Sequence, residues 1–153
     1  MSAEAKVVEL KLELPPAPKV GGVYKPVVIA GNMAYVSGHV SIDKDGSIIK
    51  GRVGSEVDEA AGRKAAEQSG LAILATLRAN LGSLDRVKRV VKTLGMVNCT
   101  PEFTNHPEVI NGCSELLGKI WGPDHGIGAR SAVGVGSLPR NATTEIEVIF
   151  ELA

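Results

Sequence analysis

The stretch ARSAVGVGSLPRNATTEIEVIFEL, residues 129–152, decides the fold. Its many β-branched residues predict two strands, at 130–136 and 143–152, which are separated by a Leu-Pro turn. In the second strand, apolar residues alternate with glutamates, so one face is apolar and the other is acidic. We expect the apolar face to pack against helices and the opposite, helix-free face to carry Glu145 and Glu147.

The same alternation assigns faces in the two neighbouring predicted strands. If Val133 faces the helices, Arg130 points to the helix-free side, together with small residues that suggest close approach by another chain. In the segment 33–41, the alternation sends Ser37 and His39 to that side as well. Polar groups would then gather there with Glu145. The alternative is an exposed cross-strand ion pair between Arg130 and Glu145.

The rest of the chain supplies the other elements. The order of elements predicts an α+β fold, a single mixed β-sheet with two helices packed on one face, in one domain over residues 1–153. The predicted elements are a strand in 1–14, a hairpin of 24–30 and 33–41 turning at Gly31-Asn32, a short strand at 47–50, a helix from Ser55 to Leu81 stopped by Gly82, a strand at 87–98, a helix at 109–120 and a glycine-rich loop at 121–128.

Composition restricts the function classes. Seventeen basic and seventeen acidic residues cancel, so no basic field is available to hold a phosphate backbone, and we expect no nucleic-acid partner. Cys99 and Cys113 lack a CxxC motif and are interpreted as buried thiols. The three histidines are widely spaced, so no metal site is predicted. No apolar run reaches membrane length and no leader is visible, so we expect a cytoplasmic protein with no membrane partner.

Several segments together resemble the Rid family, also called YjgF. The segment from Ala129 to Pro139 and the Glu-Ile-Glu strand after it match the family signature without a gap. Tyr24, the segment 31–39 and the Val-Ile-Asn at 109–111 match it earlier in the chain. The run Asn-Gly-Cys-Ser-Glu-Leu-Leu from Asn111 is similar to a less-studied subgroup of the family. This resemblance implies a chorismate-mutase-like fold and a homotrimer with clefts between subunits.

The resemblance also implies roles for particular residues. Arg130 matches the family arginine that holds a substrate carboxylate, and Glu145 matches the glutamate that positions water. Tyr24, Ser37 and Asn111 match positions that line the cleft.

At two positions the chain departs from the family pattern. Ala132 stands where the family often has cysteine, although a backbone N–H there can still polarise a bound group. His39 replaces a glutamine. We include both residues among the substrate-binding candidates.

Two function classes fit these residues. The first is an enzyme without a cofactor that hydrolyses reactive 2-imino or enamino acids to 2-keto acids and ammonia. The second is a non-catalytic protein that binds small keto acids through Arg130. An endoribonuclease activity, which some family members are said to have, is the least favoured because of the zero net charge.

Overall fold

The computed structural model describes residues 1–153 and contains one five-stranded sheet with three α-helices. Two short 3-10 turns at Leu84–Arg86 and Pro139–Asn141 complete the elements. In chain order the elements are α1 (Ala3–Glu9), β1 (Val27–Ala30), β2 (Met33–Val40), α2 (Glu59–Leu81), β3 (Val87–Asn98), α3 (His106–Gly126), β4 (Ala129–Val135) and β5 (Thr144–Leu152).

The sheet is mixed, as predicted, with the strand order β1-β2-β5-β3-β4. The β3–β4 pair is parallel and the other three pairs are antiparallel. Helix α3 makes the crossover between the parallel strands, as a parallel connection requires. Strand β5 lies at the centre, and its apolar residues Ile146, Val148 and Phe150 are fully buried beneath the helices. The predicted alternation in β5 is therefore confirmed.

The hairpin between β1 and β2 turns at Gly31-Asn32, as predicted. The two strands pair from Val27 with Val36 to Ala30 with Met33. Gly31 has φ of 62°, a left-handed conformation that glycine adopts without steric cost. The predicted strand at 47–50 is wrong: this segment makes only isolated bridges, such as Ile42 with Ile48.

Helix α2 begins later than predicted. Asp58, not Ser55, is the N-cap, and its carboxylate accepts a hydrogen bond from the Ala61 N–H at 2.8 Å. The helix ends at Gly82 as predicted, where φ is 83°. Its buried face is rich in small residues, which allows α3 to approach closely; at Gly112 of α3, a side chain would collide with the α2 backbone.

The N-terminal segment is a helix and not the predicted strand. Ser2 caps α1, and the buried side chains Ala3 and Val7 are four residues apart on one helical face, whereas Val8 is exposed. Glu4 bonds to Arg78 and to the Leu84 backbone N–H, which ties this short helix to the rest of the domain. Tertiary contacts of this kind override a weak alternating pattern. The fold thus has one helix more than predicted.

The predicted glycine-rich loop at 121–128 is largely helical. Helix α3 continues to Gly126, with a break at Gly122, where φ is 80° and ψ is 170°. Pro123 follows the break, since a proline fits the first turn of the restarted helix. Trp121 packs against Phe150 with ring centroids 5.8 Å apart, which anchors the break to the core. None of the three helices is long and apolar enough to cross a membrane.

Candidate functional site

Arg130 lies on the edge strand β4 and points towards the helices, not to the helix-free face. The parallel register places Arg130 beside Thr93 and Ala132 beside Gly95, and both β3 residues are buried under α3. Val133, which was predicted to face the helices, is instead 42% exposed. The assignment of faces in β4 from the sequence is therefore wrong.

The reason for this reversal is the close approach of α3. A side chain at Gly134 would collide with the ring of His106, the first residue of α3, and one at Gly95 would lie 2.5 Å from Ile110. The small residues of β4 therefore make room for a helix of the same chain. Gly134, one of the small residues that suggested approach by another chain, thus lies against a helix of its own chain, which corrects that expectation.

Arg130 is held by neutral groups only. Its Nη1 donates to Asn111 Oδ1 at 2.7 Å and to Ser114 Oγ at 3.3 Å, both on α3. None of the ion pairs in the structure includes Arg130. Its Nη2 and Nε groups bond to no protein atom, and the side chain borders a cavity of about 320 Å³. This arrangement leaves a fixed cation with two free donor nitrogens.

Two residues that the sequence analysis missed orient Asn111. Its Nδ2 donates to Glu108 Oε2 at 3.2 Å, so its Oδ1 is turned towards Arg130. Glu108 accepts a further bond, at 2.8 Å, from Arg63 of α2. The i, i+3 spacing of Glu108, Asn111 and Ser114 on α3 was the signal available in the sequence.

We call Arg63, Glu108, Asn111, Ser114 and Arg130 the arginine cluster. Ala132 lies two residues beyond Arg130 on the same side of β4 and is half-buried against the core. Of the predicted site residues, the structure brings Arg130, Asn111 and Ala132 together on this side.

Glu145 lies on the opposite face of the sheet, as predicted, because the next residue, Ile146, is buried under the helices. It lines a cavity of about 880 Å³ together with Tyr24, Ser37 and Glu147. Burial raises the pKa of the Glu145 carboxyl, and the nearby Glu147 carboxylate raises it further. We call this region the glutamate cavity.

A β-bulge in β2 shapes the glutamate cavity. The register with β5 shifts between Val36 and His39, so one extra residue lies in this part of the strand. Gly38 faces Glu145 there, and a side chain at Gly38 would collide with the Glu145 carboxylate. The Ser37 hydroxyl donates to the Lys25 carbonyl at 2.6 Å, which fixes its oxygen at the cavity wall.

The bulge also reverses the predicted position of His39. The residue borders the cavity, but its side chain points to the helix side and is only 6% exposed. Its Nδ1 lies 2.6 Å from the Ser37 carbonyl, which can only accept, so Nδ1 carries the proton and Nε2 accepts from Thr76 Oγ1 at 2.7 Å. Burial lowers the pKa of His39. His39 supports the bulge from below and offers no free ring nitrogen to a ligand.

The two cysteines are structural. Both cysteines are free and buried, as predicted, and burial raises the pKa of Cys113 to about 12. A thiol with so high a pKa is a poor nucleophile at neutral pH. No group of three or more His, Cys, Asp or Glu side chains is placed to hold a metal ion.

One chain therefore holds the predicted site residues in two separate places. The arginine cluster lies on the helix side at the β4 edge, and the glutamate cavity lies on the other side, over β2 and β5. Arg130 and Glu145 cannot form the exposed cross-strand ion pair that was the alternative interpretation of the sequence.

Comparison with known proteins shows what the chain is similar to. A family model described as YjgF/chorismate-mutase-like, with a tentative endoribonuclease label, matches residues 4–152. A curated Trypanosoma cruzi protein named protein TCP17 is 36% identical over 148 residues, which cover 97% of this chain and 92% of that protein.

Three solved structures share the fold. A protein of unknown function from Agrobacterium tumefaciens is 39% identical, covers 99% of this chain and 94% of its own, and has a TM-score of 0.88. A candidate endoribonuclease from Shewanella oneidensis is 26% identical and has a TM-score of 0.93, and the match covers 99% of this chain and 100% of that protein. RidA from an Antarctic Psychrobacter is 27% identical and has a TM-score of 0.61, and the match covers 92% of this chain and 94% of that protein. These matches confirm the resemblance drawn from the sequence motifs, and the chain belongs to the YjgF/chorismate-mutase-like family, in which the Rid proteins are found.

Proposed function

We propose that this protein hydrolyses 2-imino or enamino acids to 2-keto acids and ammonia, at clefts between the subunits of a cytoplasmic homotrimer. The observation that carries the proposal is the fixed guanidinium of Arg130, which has two free donor nitrogens and no carboxylate partner. The proposal also draws on membership in a family that includes RidA.

A free guanidinium fork fits a carboxylate. Two parallel N–H groups of Arg130 can donate to the two oxygens of a substrate carboxylate, in a charge-assisted pair that also fixes orientation. Asn111 and Ser114 use only Nη1, so the remaining donors stay available. Because no protein carboxylate has to be displaced, the ligand does not compete with an internal ion pair.

Glu145 fits the role of a general base. Its pKa is raised by burial and by Glu147, which makes the ionised carboxylate a stronger proton acceptor. In the proposed reaction, Glu145 accepts a proton from water as the water oxygen bonds to the imine carbon. The protonated Glu145 passes this proton to the imine nitrogen, which gives a carbinolamine. The carbinolamine hydroxyl then gives up its proton, through Glu145, to the nitrogen, the carbonyl forms as the carbon–nitrogen bond breaks, and ammonia leaves. The imine carbon is already electrophilic, so the reaction requires no cofactor.

The cleft between subunits follows from the separation of the two regions. Arg130 and Glu145 lie on opposite sides of one sheet, so a single substrate can reach both only if they come from different chains. The helix-free face exposes Tyr35 and Val133, which are 45% and 42% accessible, and a second copy would cover such side chains. Light scattering should give three times the chain mass of 16.0 kDa at micromolar concentration, whereas a monomer mass would contradict this assembly.

The test of activity is ammonia release from an imine generated in solution, for example from a 2-aminoacrylate precursor. We expect the wild type to accelerate release and Arg130→Met to lose about 100-fold in kcat/KM, since hydrogen bonds to a charged group are each worth about 1.5–3 kcal/mol. Arg130→Lys is the matched control, because it keeps the cation and loses the fork. Equal rates for the wild type and Arg130→Met would contradict the proposal.

A second function, binding of keto acids without turnover, is favoured by the arginine cluster considered alone. All of its hydrogen bonds serve to present a cation, and none of them requires Glu145. Calorimetry with pyruvate distinguishes the two functions: binding that survives Glu145→Gln, without ammonia release by the wild type, supports a binding protein. Cleavage of RNA that persists in Arg130→Met would instead support the endoribonuclease label.

A further inference from the structure

The turn between β4 and β5 holds two consecutive residues in a left-handed backbone conformation. Arg140 has φ of 54° and Asn141 has φ of 58°, and neither is glycine. Asparagine tolerates a left-handed conformation, but for a residue such as arginine it costs about 1 kcal/mol or more and persists only where the surroundings impose it. Such outliers are concentrated at binding sites, so the turn is a place to look for function.

The surrounding structure holds this turn rigidly. The Asn141 carbonyl accepts from the Gly51 N–H at 3.0 Å, and the Ala142 N–H donates to the Pro139 carbonyl at 3.0 Å. The buried Asn98 side chain donates to Asn141 Oδ1 at 3.1 Å. The backbone beneath Arg140 is therefore fixed, and its side chain projects from a constant position.

Arg140 lines the glutamate cavity and has no partner. It borders the same space of about 880 Å³ as Glu145 and Ser37. None of the ion pairs in the structure includes it. Three carboxylates also line the cavity, and none of them pairs with Arg140. Asp45 accepts hydrogen bonds from the N–H and hydroxyl of Ser47. Glu145 and Glu147 lie where the proposed reaction takes place.

The cavity is larger than the smallest substrates need. A 2-imino acid of the size of alanine has only six heavy atoms, whereas cavities of 300–1,000 Å³ usually hold drug-sized ligands. A substrate that reacts beside Glu145 therefore has space for a longer side chain, and a free guanidinium stands in the same wall.

We propose that Arg140 determines specificity, by binding an anionic group at the far end of the ligand side chain. The preferred ligands would be dicarboxylic 2-imino acids and the 2-keto acids formed from them. This inference rests on the proposed function only for the 2-imino acid end of the ligand. The contact between Arg140 and the distal anion is a binding property and can be measured without turnover.

Binding of 2-oxoglutarate and of 2-oxopentanoate, which lacks the distal carboxylate, tests the inference by calorimetry. The two probes share the 2-oxo acid end and differ in the distal carboxylate. We expect the wild type to bind 2-oxoglutarate about 10- to 100-fold more tightly, the range that one charge-assisted pair provides. Arg140→Asn should reduce this ratio to near one, because asparagine tolerates the left-handed backbone and removes the cation. Arg140→Lys should retain part of the preference.

The matched control is Arg86→Gln, which removes the same charge from an exposed position near the start of β3, at the opposite end of β5 from Glu145. It should leave the ratio unchanged. A wild-type ratio near one, or a preference that Arg140→Asn preserves, would overturn the inference even if imine hydrolysis is observed. A preference that depends on Arg140, found together with no hydrolysis of any imine, would support the inference and contradict the proposed function.

Discussion

The arginine cluster and the glutamate cavity reach their geometry by different means. The arginine cluster is built from side chains: Arg63 fixes Glu108, Glu108 orients Asn111, and Asn111 holds Arg130. The glutamate cavity is built from backbone, through a bulge at Ser37-Gly38 and a strained turn at Arg140. Changes to the side chains that support Arg130 should therefore weaken the arginine cluster in small steps, whereas the cavity depends on a few backbone positions and on one ionisable group.

The largest expected effect is on the chemical step in the glutamate cavity. Glu145→Gln keeps the shape of the side chain and removes the base, so kcat for imine hydrolysis should fall by about 10²- to 10⁴-fold, the usual contribution of a general base. Binding of pyruvate should change little. Steady-state kinetics measures the first result and calorimetry the second; a kcat within a few-fold of the wild type would show that Glu145 is not the base.

A smaller effect is expected from loosening the arginine cluster. Glu108→Leu frees the Asn111 amide and should raise KM about 2- to 10-fold with kcat nearly unchanged. The lost bond has a charged acceptor and is worth about 1.5–3 kcal/mol, but it acts on the ligand only through Asn111 and Arg130, so only part of this free energy affects binding. Glu108→Gln can still accept from Asn111 Nδ2 and should recover part of the loss. If both variants changed kcat and left KM unaltered, Glu108 would not act through ligand positioning.

The pH dependence sharpens the contrast between the two regions. Glu145 must be ionised to act as a base, so activity should fall as the pH drops through its raised pKa. Glu147→Gln removes the repulsion that raises this pKa, and the acid limb of the pH–rate profile should move to lower pH. The profile of Glu108→Gln, which alters only the arginine cluster, serves as the control and should keep the wild-type limb. If the acid limb of Glu147→Gln coincided with that of the wild type, Glu147 would not influence the pKa of Glu145.

The smallest expected effect is on stability and comes from His39. Its folded-state pKa is lowered by burial, so the unfolded chain binds more protons on acidification and stability is lost as the pH falls below about 6.5, the unfolded value, towards the folded pKa. The slope is at most about 1.4 kcal/mol per pH unit. His39→Gln should flatten this dependence in thermal melts between pH 7 and 5. An identical slope in the two proteins would show that His39 does not remain neutral in the fold.

The features of the fold that depend on neighbouring residues in the chain were predicted correctly from the sequence. The central strand β5, the Gly31-Asn32 hairpin, the end of α2 at Gly82 and the type of fold follow from alternation and turn chemistry. The family motifs also led correctly to the YjgF/chorismate-mutase-like fold.

What failed depends on contacts between distant residues. Alternation cannot show the bulge that turns His39 inward, because one extra residue reverses all faces beyond it. The same alternation placed Arg130 on the wrong face of β4. In this edge strand the valine Val133 faces solvent, because glycine and alanine are needed beneath α3. Arg63 was missed because its bond to Glu108 exists only once α2 and α3 are packed together. Glu108 was missed although its i, i+3 spacing from Asn111 on one helix was a signal in the sequence.

The central claim is that the arginine cluster of one subunit and the glutamate cavity of another form a single site. It is tested most directly by unfolding Arg130→Met and Glu145→Gln together, refolding them as a mixture and measuring imine hydrolysis. In random mixed trimers, about one cleft in four combines an intact Arg130 with an intact Glu145 from the neighbouring subunit, so activity should return to about a quarter of the refolded wild type. A mixture as inactive as the two separate variants, with trimers confirmed by light scattering, would contradict the shared site.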